Sequence, residues 1–329
     1  MTTFKGIRGT AIQVVSSDPS NPEIGQIWYN SSSGTLKGYQ SVATNAWSSG
    51  GNLNTARQSV GGVGTQTAGL AISGEISGSN TTSVENYNGT SWTNAPTIPT
   101  GKRDFAQAGT QSAAMVGGGD TTTSSSGITN STQNYNGTSW TSSGNMNTTR
   151  QQLAGLGLQT AAIAAGGSDP SPAVTAASES YNGSTWTTVN SLNTGRSLVG
   201  GSGSQSAGYV VGGQTPTVVS NTELWNGTSW TNSGNYISVI RQIATSGPQT
   251  AAFAAGGSPS YTTNSALFNG STWTSNGNLS AGRAFDTNCS AGNGTNGLVF
   301  GGYSPPTPIT AATEEWTGTQ ILTRTLTVS

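Results

Sequence analysis

Short runs of small apolar residues recur along the chain, each closing on glycine. They are AAMVGG (113–118), AAIAAGG (161–167), AGYVVGG (207–213), AAFAAGG (251–257) and GLVFGG (297–302), with AGLAISG (68–74) in their place earlier. Each reads as a strand with few large side chains, suited to a place where strands crowd together. The glycines mark the bend that ends it. A second pattern follows each of the first five runs: an aromatic, then Asn-Gly, then Trp. The aromatics are Tyr87, Tyr135, Tyr181, Trp225 and Phe268, and the tryptophans Trp92, Trp140, Trp186, Trp230 and Trp273. Between them stand Asn88-Gly89, Asn136-Gly137, Asn182-Gly183, Asn226-Gly227 and Asn269-Gly270. Asn-Gly between two short aromatic-bearing runs predicts a β-hairpin. Both residues tolerate the positive φ of a type I′ turn.

The patterns belong to one repeat. Arginines recur at Arg57, Arg103, Arg150, Arg196, Arg241 and Arg283, 42 to 47 residues apart. Four strands in about 46 residues is the period of a propeller blade. The order Gly-Gly, Glu-x-aromatic-Asn, Trp, Arg resembles the kelch family. Gly212-Gly213, Glu223, Trp225-Asn226, Trp230 and Arg241 show it, as do Gly166-Gly167, Glu179, Tyr181-Asn182, Trp186 and Arg196. Gln133 and Ala266 depart from the Glu position, while Trp316 and Ile321 take the aromatic and Trp places of the last repeat. The resemblance implies an all-β, kelch-like β-propeller, with six clear repeats over 51–329 ending on an outer strand QILTRTLTV (320–328). Residues 1–50 carry IQVV, GQIWYN, TLKGYQ and NAWS, so an atypical first blade is expected there, giving seven four-stranded blades. The alternative is an N-terminal attachment segment.

Composition narrows the function. Only 7% of residues are charged, the net charge is -1, and 11 Lys+Arg along the whole chain supply no basic patch for nucleic acid. No apolar run reaches membrane-spanning length and no secretory leader is visible, so membrane insertion is not expected. The 48 glycines with Ser, Thr and Asn would suit a disordered chain, but their bias is periodic. Histidine is absent, which removes the commonest general base and imidazole metal ligand.

A ring of arginines invites a sialidase reading, since those enzymes are propellers with an arginine triad. Repeat-equivalent arginines instead point to architecture, each pairing with a carboxylate at the same rim: Glu85, Glu179, Glu223 and Glu314. A kelch-type copper oxidase needs histidines. Calcium needs clustered carboxylates, and Asp120 and Asp169 stand alone. Cys289 has no partner for a disulfide and no histidine to activate it. The Asn-Gly-Thr/Ser sequons are explained by the turn itself. No enzyme, cofactor or metal is expected.

Recognition is therefore expected in the variable polar loops between second and third strands. Tyr261 and Tyr303 are placed there to stack on sugar rings, with Asp120 and Asp169 as further binding candidates. The segment SDPSNPEIGQIWYNSSSGTLKGYQ (17–40) resembles bacteriophage virion proteins. That resemblance implies a tail-associated virion protein that recognises a host surface carbohydrate. Other virion proteins would be partners through the N-terminal region, and a homo-oligomer is possible within that picture. The competing readings are a non-binding decoration protein of a capsid or tail, and a bacterial cell-surface or filament component.

Overall fold

A computed structural model describes residues 12–286, 288–303 and 309–326. Part of the last variable loop, the start of the chain and the end of the expected outer strand lie outside them. Every regular element is a β-strand among the described residues. The chain divides into a terminal region, Met1–Asn45 with Gly318–Ser329, and a repeat region, Ala46–Thr317.

The repeat region is built from repeated four-stranded antiparallel sheets in a propeller-like architecture. The first unit pairs Gly61–Thr65, Ala68–Ile72, Val84–Tyr87 and Trp92–Ala95 in that order. The second uses Ala106–Thr110, Ala113–Gly117, Thr132–Tyr135 and Trp140–Ser143. The third runs from Ala154–Leu158 to Trp186–Val189, the fourth from Gly200–Gly203 to Trp230–Ser233, the fifth from Ala244–Ser246 to Trp273–Ser275. The sixth has Ser290–Gly292 and Asn296–Phe300, then the start of Thr313–Thr325 and the end of Thr35–Ser49. First strands touch in a cycle, each unit on the next and the sixth on the first.

Among the described residues, the N-terminal strands form no separate four-stranded sheet for the expected seventh blade; they join the sheet of the sixth unit. Trp47 instead fills the sixth unit's outer-strand position. Gly50 N–H donates to Thr313 O at 2.9 Å, and Trp47 Nε1 donates to Ser265 Oγ of the fifth unit at 3.1 Å. The same bond recurs from Trp186 to Thr132, Trp273 to Thr222 and Trp92 to Thr313, each reaching the preceding unit. Trp47 lies against Trp316, with centroids 5.6 Å apart, where other units stack Tyr on Trp at 4.8 Å. Trp47 therefore holds the Trp place of the sixth unit, and the side chain of Ile321, expected there, lies outside the described residues.

The core lies between neighbouring sheets. Met115 and Met146 of the second unit pack on Leu153, Tyr181 and Trp186 of the third. A further device joins the units. Gln66, Gln111, Gln159, Gln205 and Gln249 each sit in a first hairpin loop and donate Nε2 to two carbonyls of the preceding unit. Gln66 reaches Gly297 O and Trp316 O, so the first unit is stapled to the sixth.

The Asn-Gly hairpins also differ from expectation. Tyr87 pairs directly with Trp92, leaving a four-residue loop, and only Gly89 has positive φ (92°). Asn88 Oδ1 accepts from the N–H groups of Thr90 and Ser91 at 2.9 Å each. The side chain mimics a turn of backbone, so no type I′ turn is needed.

In the terminal region Gln13–Val15 lies parallel to Ile27–Asn30, which pairs antiparallel with Thr35–Ser49. Asp18 is its hub: it accepts from Trp28 Nε1, Asn30 Nδ2 and Lys37 Nζ. The Lys37 bond leads in holding its carboxyl down at about 2.

Candidate functional site

Four arginines make buried clamps. Arg57, Arg150, Arg196 and Arg283 pair with Glu85, Glu179, Glu223 and Glu314 at 2.9, 2.9, 2.5 and 2.6 Å. Each guanidinium also donates to main-chain carbonyls, as Arg196 does to Gly212 O and Asn221 O. The second carboxylate oxygen of Glu223 accepts Asn193 N–H at 2.7 Å. Burial lowers the pKa of Arg196 and the adjacent Glu223 opposes it. Each pair is buried and bonded to its partner and to the backbone, and the Nε of each of these arginines is buried without a hydrogen-bond partner.

Arg103 and Arg241 are not equivalent to the other four. The clamp position in the second unit is Lys102, whose Nζ donates to Gly118 O, Ser131 O and Ser131 Oγ. In the fifth unit it is Ile240, fully buried in an apolar cluster. These are the two units where Gln133 and Ala266 replace the carboxylate, so guanidinium and carboxylate are lost together. Arg103 and Arg241 lie one residue on, half-buried. Arg103 donates to Glu75 at 2.8 Å and lies 3.5 Å from Asp120, while Arg241 donates to Gln214 and Ser258.

The next residue in each unit faces the axis. Ser59, Asp104, Gln152, Leu198 and Gln242 all have left-handed φ between 51° and 58°. Their backbones form a relay: Gln152 N–H donates to Asp104 O, Leu198 to Gln152, Gln242 to Leu198, and Phe285 to Gln242. The sixth unit breaks the pattern. From clamp residue to hairpin glycine it counts nine positions (Arg283 to Gly292), against seven from Arg57 to Gly64. The insertion carries Asp286, which accepts from Ser59 Oγ at 3.1 Å and from Gln242 Nε2. Burial, then the nearby Asp286 carboxylate, raises the pKa of Asp104, and burial likewise raises that of Asp286.

Asn288 follows and closes the axis. Its main-chain oxygen accepts Gly62 N–H at 2.9 Å and Gln107 Nε2 at 3.1 Å. Its side chain bonds Thr245 N–H and O at 2.7 Å each and Gly201 O at 3.2 Å. One residue thus ties together first strands of four other units. Close approach explains the glycines there: a Cβ on Gly155 would lie 2.3 Å from Gln107 O.

Above this floor is a cavity of about 470 Å³. Its wall includes Gln107, Ser202, Thr245, Ser246, Asn288 and Ser290, and Thr65, Thr110, Leu158, Ser204 and Pro248 form an exposed rim. No charged side chain is among the described residues that line it. It opens on the first-hairpin face, opposite the variable loops where recognition was expected.

The expected binding residues are placed as follows. Tyr261 and Tyr303 come together from neighbouring loops, with centroids 5.3 Å apart, Tyr261 being the more exposed. Asp120 is buried and caps its own loop, accepting from Thr122 and Ser125 N–H groups. Asp169 accepts from Ser171 and Ala173, bonds that hold its carboxyl below the ordinary range, Ser171 foremost. No group of three metal-ligating side chains occurs among the described residues. Cys289 is buried and donates to Val60 O, and burial raises its pKa.

No protein-family model matches the chain, and no curated protein is similar to it in sequence. Among solved structures it is similar to "Structure of YjhT", with a TM-score of 0.68 and 14% identity, over 82% of this chain and 99% of that one. The likeness is one of fold. YjhT is a bacterial protein, which corrects the expectation of a bacteriophage virion protein recognising host carbohydrate from a phage tail. The short 17–40 segment that carried the phage resemblance folds with its own Asp18 hub, which accounts for Trp28, Asn30 and Lys37 without reference to a virion.

Proposed function

We propose that the chain is a six-bladed, kelch-like β-propeller that serves as a non-catalytic component of a bacterial cell surface or filament. The N-terminal part of the terminal region, up to Asn45, is its attachment segment in this reading. The observation that carries it is the fate of charge. Between residues 46 and 317 no described charged side chain is exposed; each is buried or half-buried. What solvent and partners meet is mainly hydroxyl, amide and glycine, with isolated apolar side chains such as Leu158, Val174, Ile237, Val239 and Tyr261. Such a surface neither steers charged partners nor neutralises phosphates. Four guanidiniums and their carboxylates are held in clamps, and Asp120 and Asp169 cap their own loops. No helix of the described residues is long and apolar enough to cross a membrane.

The test is immunogold labelling of intact cells of the source organism, with antibody raised against the purified chain. Label on the envelope or on filaments is the expected result. Label confined to the cytoplasm of sectioned cells, with none on intact ones, overturns the reading.

A further inference from the structure

The axial cavity holds an unspent acceptor. Gln107 is 3% exposed, and its amide orientation is set by Nε2 donating to Asn288 O at 3.1 Å. Its Oε1 is buried with no hydrogen-bond partner. An unmet buried acceptor carries a desolvation penalty that a bound donor removes. Gln107 is also where the repeat departs from itself: the equivalent positions in the first, third and fourth units are Gly62, Gly155 and Gly201. Those glycines keep the wall low, and the long side chain stands among them.

We propose that this cavity binds a free, neutral, polyhydroxylated molecule of about monosaccharide size, with a ligand hydroxyl donating to Gln107 Oε1. The volume falls within the usual range for small-molecule sites, roughly 300–1,000 Å³. With no charge in the described lining, a carboxylate or ammonium would be desolvated there without compensation. Ser202 and the glycine main chain of the wall meet a neutral polyol instead, and Pro248 at the rim covers its carbon face. The site is independent of the cell-surface reading, and either can fail alone.

The experiment is calorimetric titration of the whole chain with glucose, galactose and myo-inositol, with glucuronate as the charged control. Crystals soaked in the same probes are read beside it. Saturable binding of a neutral probe, about tenfold weaker in Gln107→Leu, with ligand density beside Gln107, is the expected result. Thermal melting establishes that the variant is folded; the soaked wild-type crystals decide the matter if it is not. Absence of saturation up to about 100 mM, equal binding of glucuronate, or water alone in the cavity overturns the proposal.

Discussion

Removing Glu223 alone should harm the protein more than removing it together with Arg196. In the folded chain Arg196 and Glu223 are almost wholly shielded from water and 2.5 Å apart. Glu223→Ala leaves a buried guanidinium with only Gly212 O and Asn221 O as partners, and strips Asn193 N–H of its acceptor. Breaking one side of a buried pair costs about 3–5 kcal/mol. Arg196→Ile with Glu223→Ala reproduces the Ile240 and Ala266 combination that the fifth unit already uses. The uncompensated charge is then gone, and removing both members of a buried pair costs far less than removing one. The single variant should therefore be the less stable by about 2 kcal/mol or more. Urea unfolding of wild type, both singles and the double, followed by tryptophan fluorescence, gives the cycle. Additive effects within about 0.5 kcal/mol would refute the reasoning.

Three further outcomes follow from the same geometry. Burial pulls the Lys102 ammonium down to about 8 from an ordinary 10.5. Between those values the native state has lost a proton that the unfolded chain keeps, so stability gains up to about 3 kcal/mol as pH rises through this window; the difference from Lys102→Met, measured by denaturation at several pH values, should change by that amount, and a flat difference counts against it. Gln159→Ala withdraws both donors from Ala114 O and Tyr135 O and should cost about 1–3 kcal/mol, read as a lowered Tm. Gly157→Ala places a Cβ 2.2 Å from Ala161 O at a φ of +101°; it should destabilise by about 2 kcal/mol or more, and a neutral result would mean that the hairpin relaxes freely.

The repeat and its strands were legible because the chain writes each unit's turn and stacked aromatics in nearly the same letters. The clamp was legible in type but not in place. The arginine recurs in sequence at Arg103 and Arg241, while the clamp position itself passes to Lys102 and Ile240; the missing carboxylates at Gln133 and Ala266 are the signal. The number of units is not legible locally, because Trp47 is separated by most of the chain from the sheet it completes and no local pattern declares that pairing. The glutamine staples stood in plain repeat, as TQTA, TQSA, LQTA, SQSA and PQTA, yet a glutamine in a loop gives no sign of which carbonyls it will reach. The axial site was hidden differently. It depends on departures, a two-residue insertion before Asn288 and one Gln107 among glycines, which weigh little against a strong consensus.

Trp47 on the sixth sheet has a consequence for how the chain becomes folded. The early segment and residues 313–317 must meet before that sheet has its four strands, with roughly 265 residues between them. Chain synthesis delivers the first partner long before the second, so a nascent arc of five units waits with its flank open. Joining ends so distant is costly in time more than in final free energy, because closure entropy grows only with the logarithm of the span. The seam is thus the step of assembly expected to be slow. A circular permutant that opens the chain between two intact units, and links the present ends, moves that seam without changing a single stacking contact.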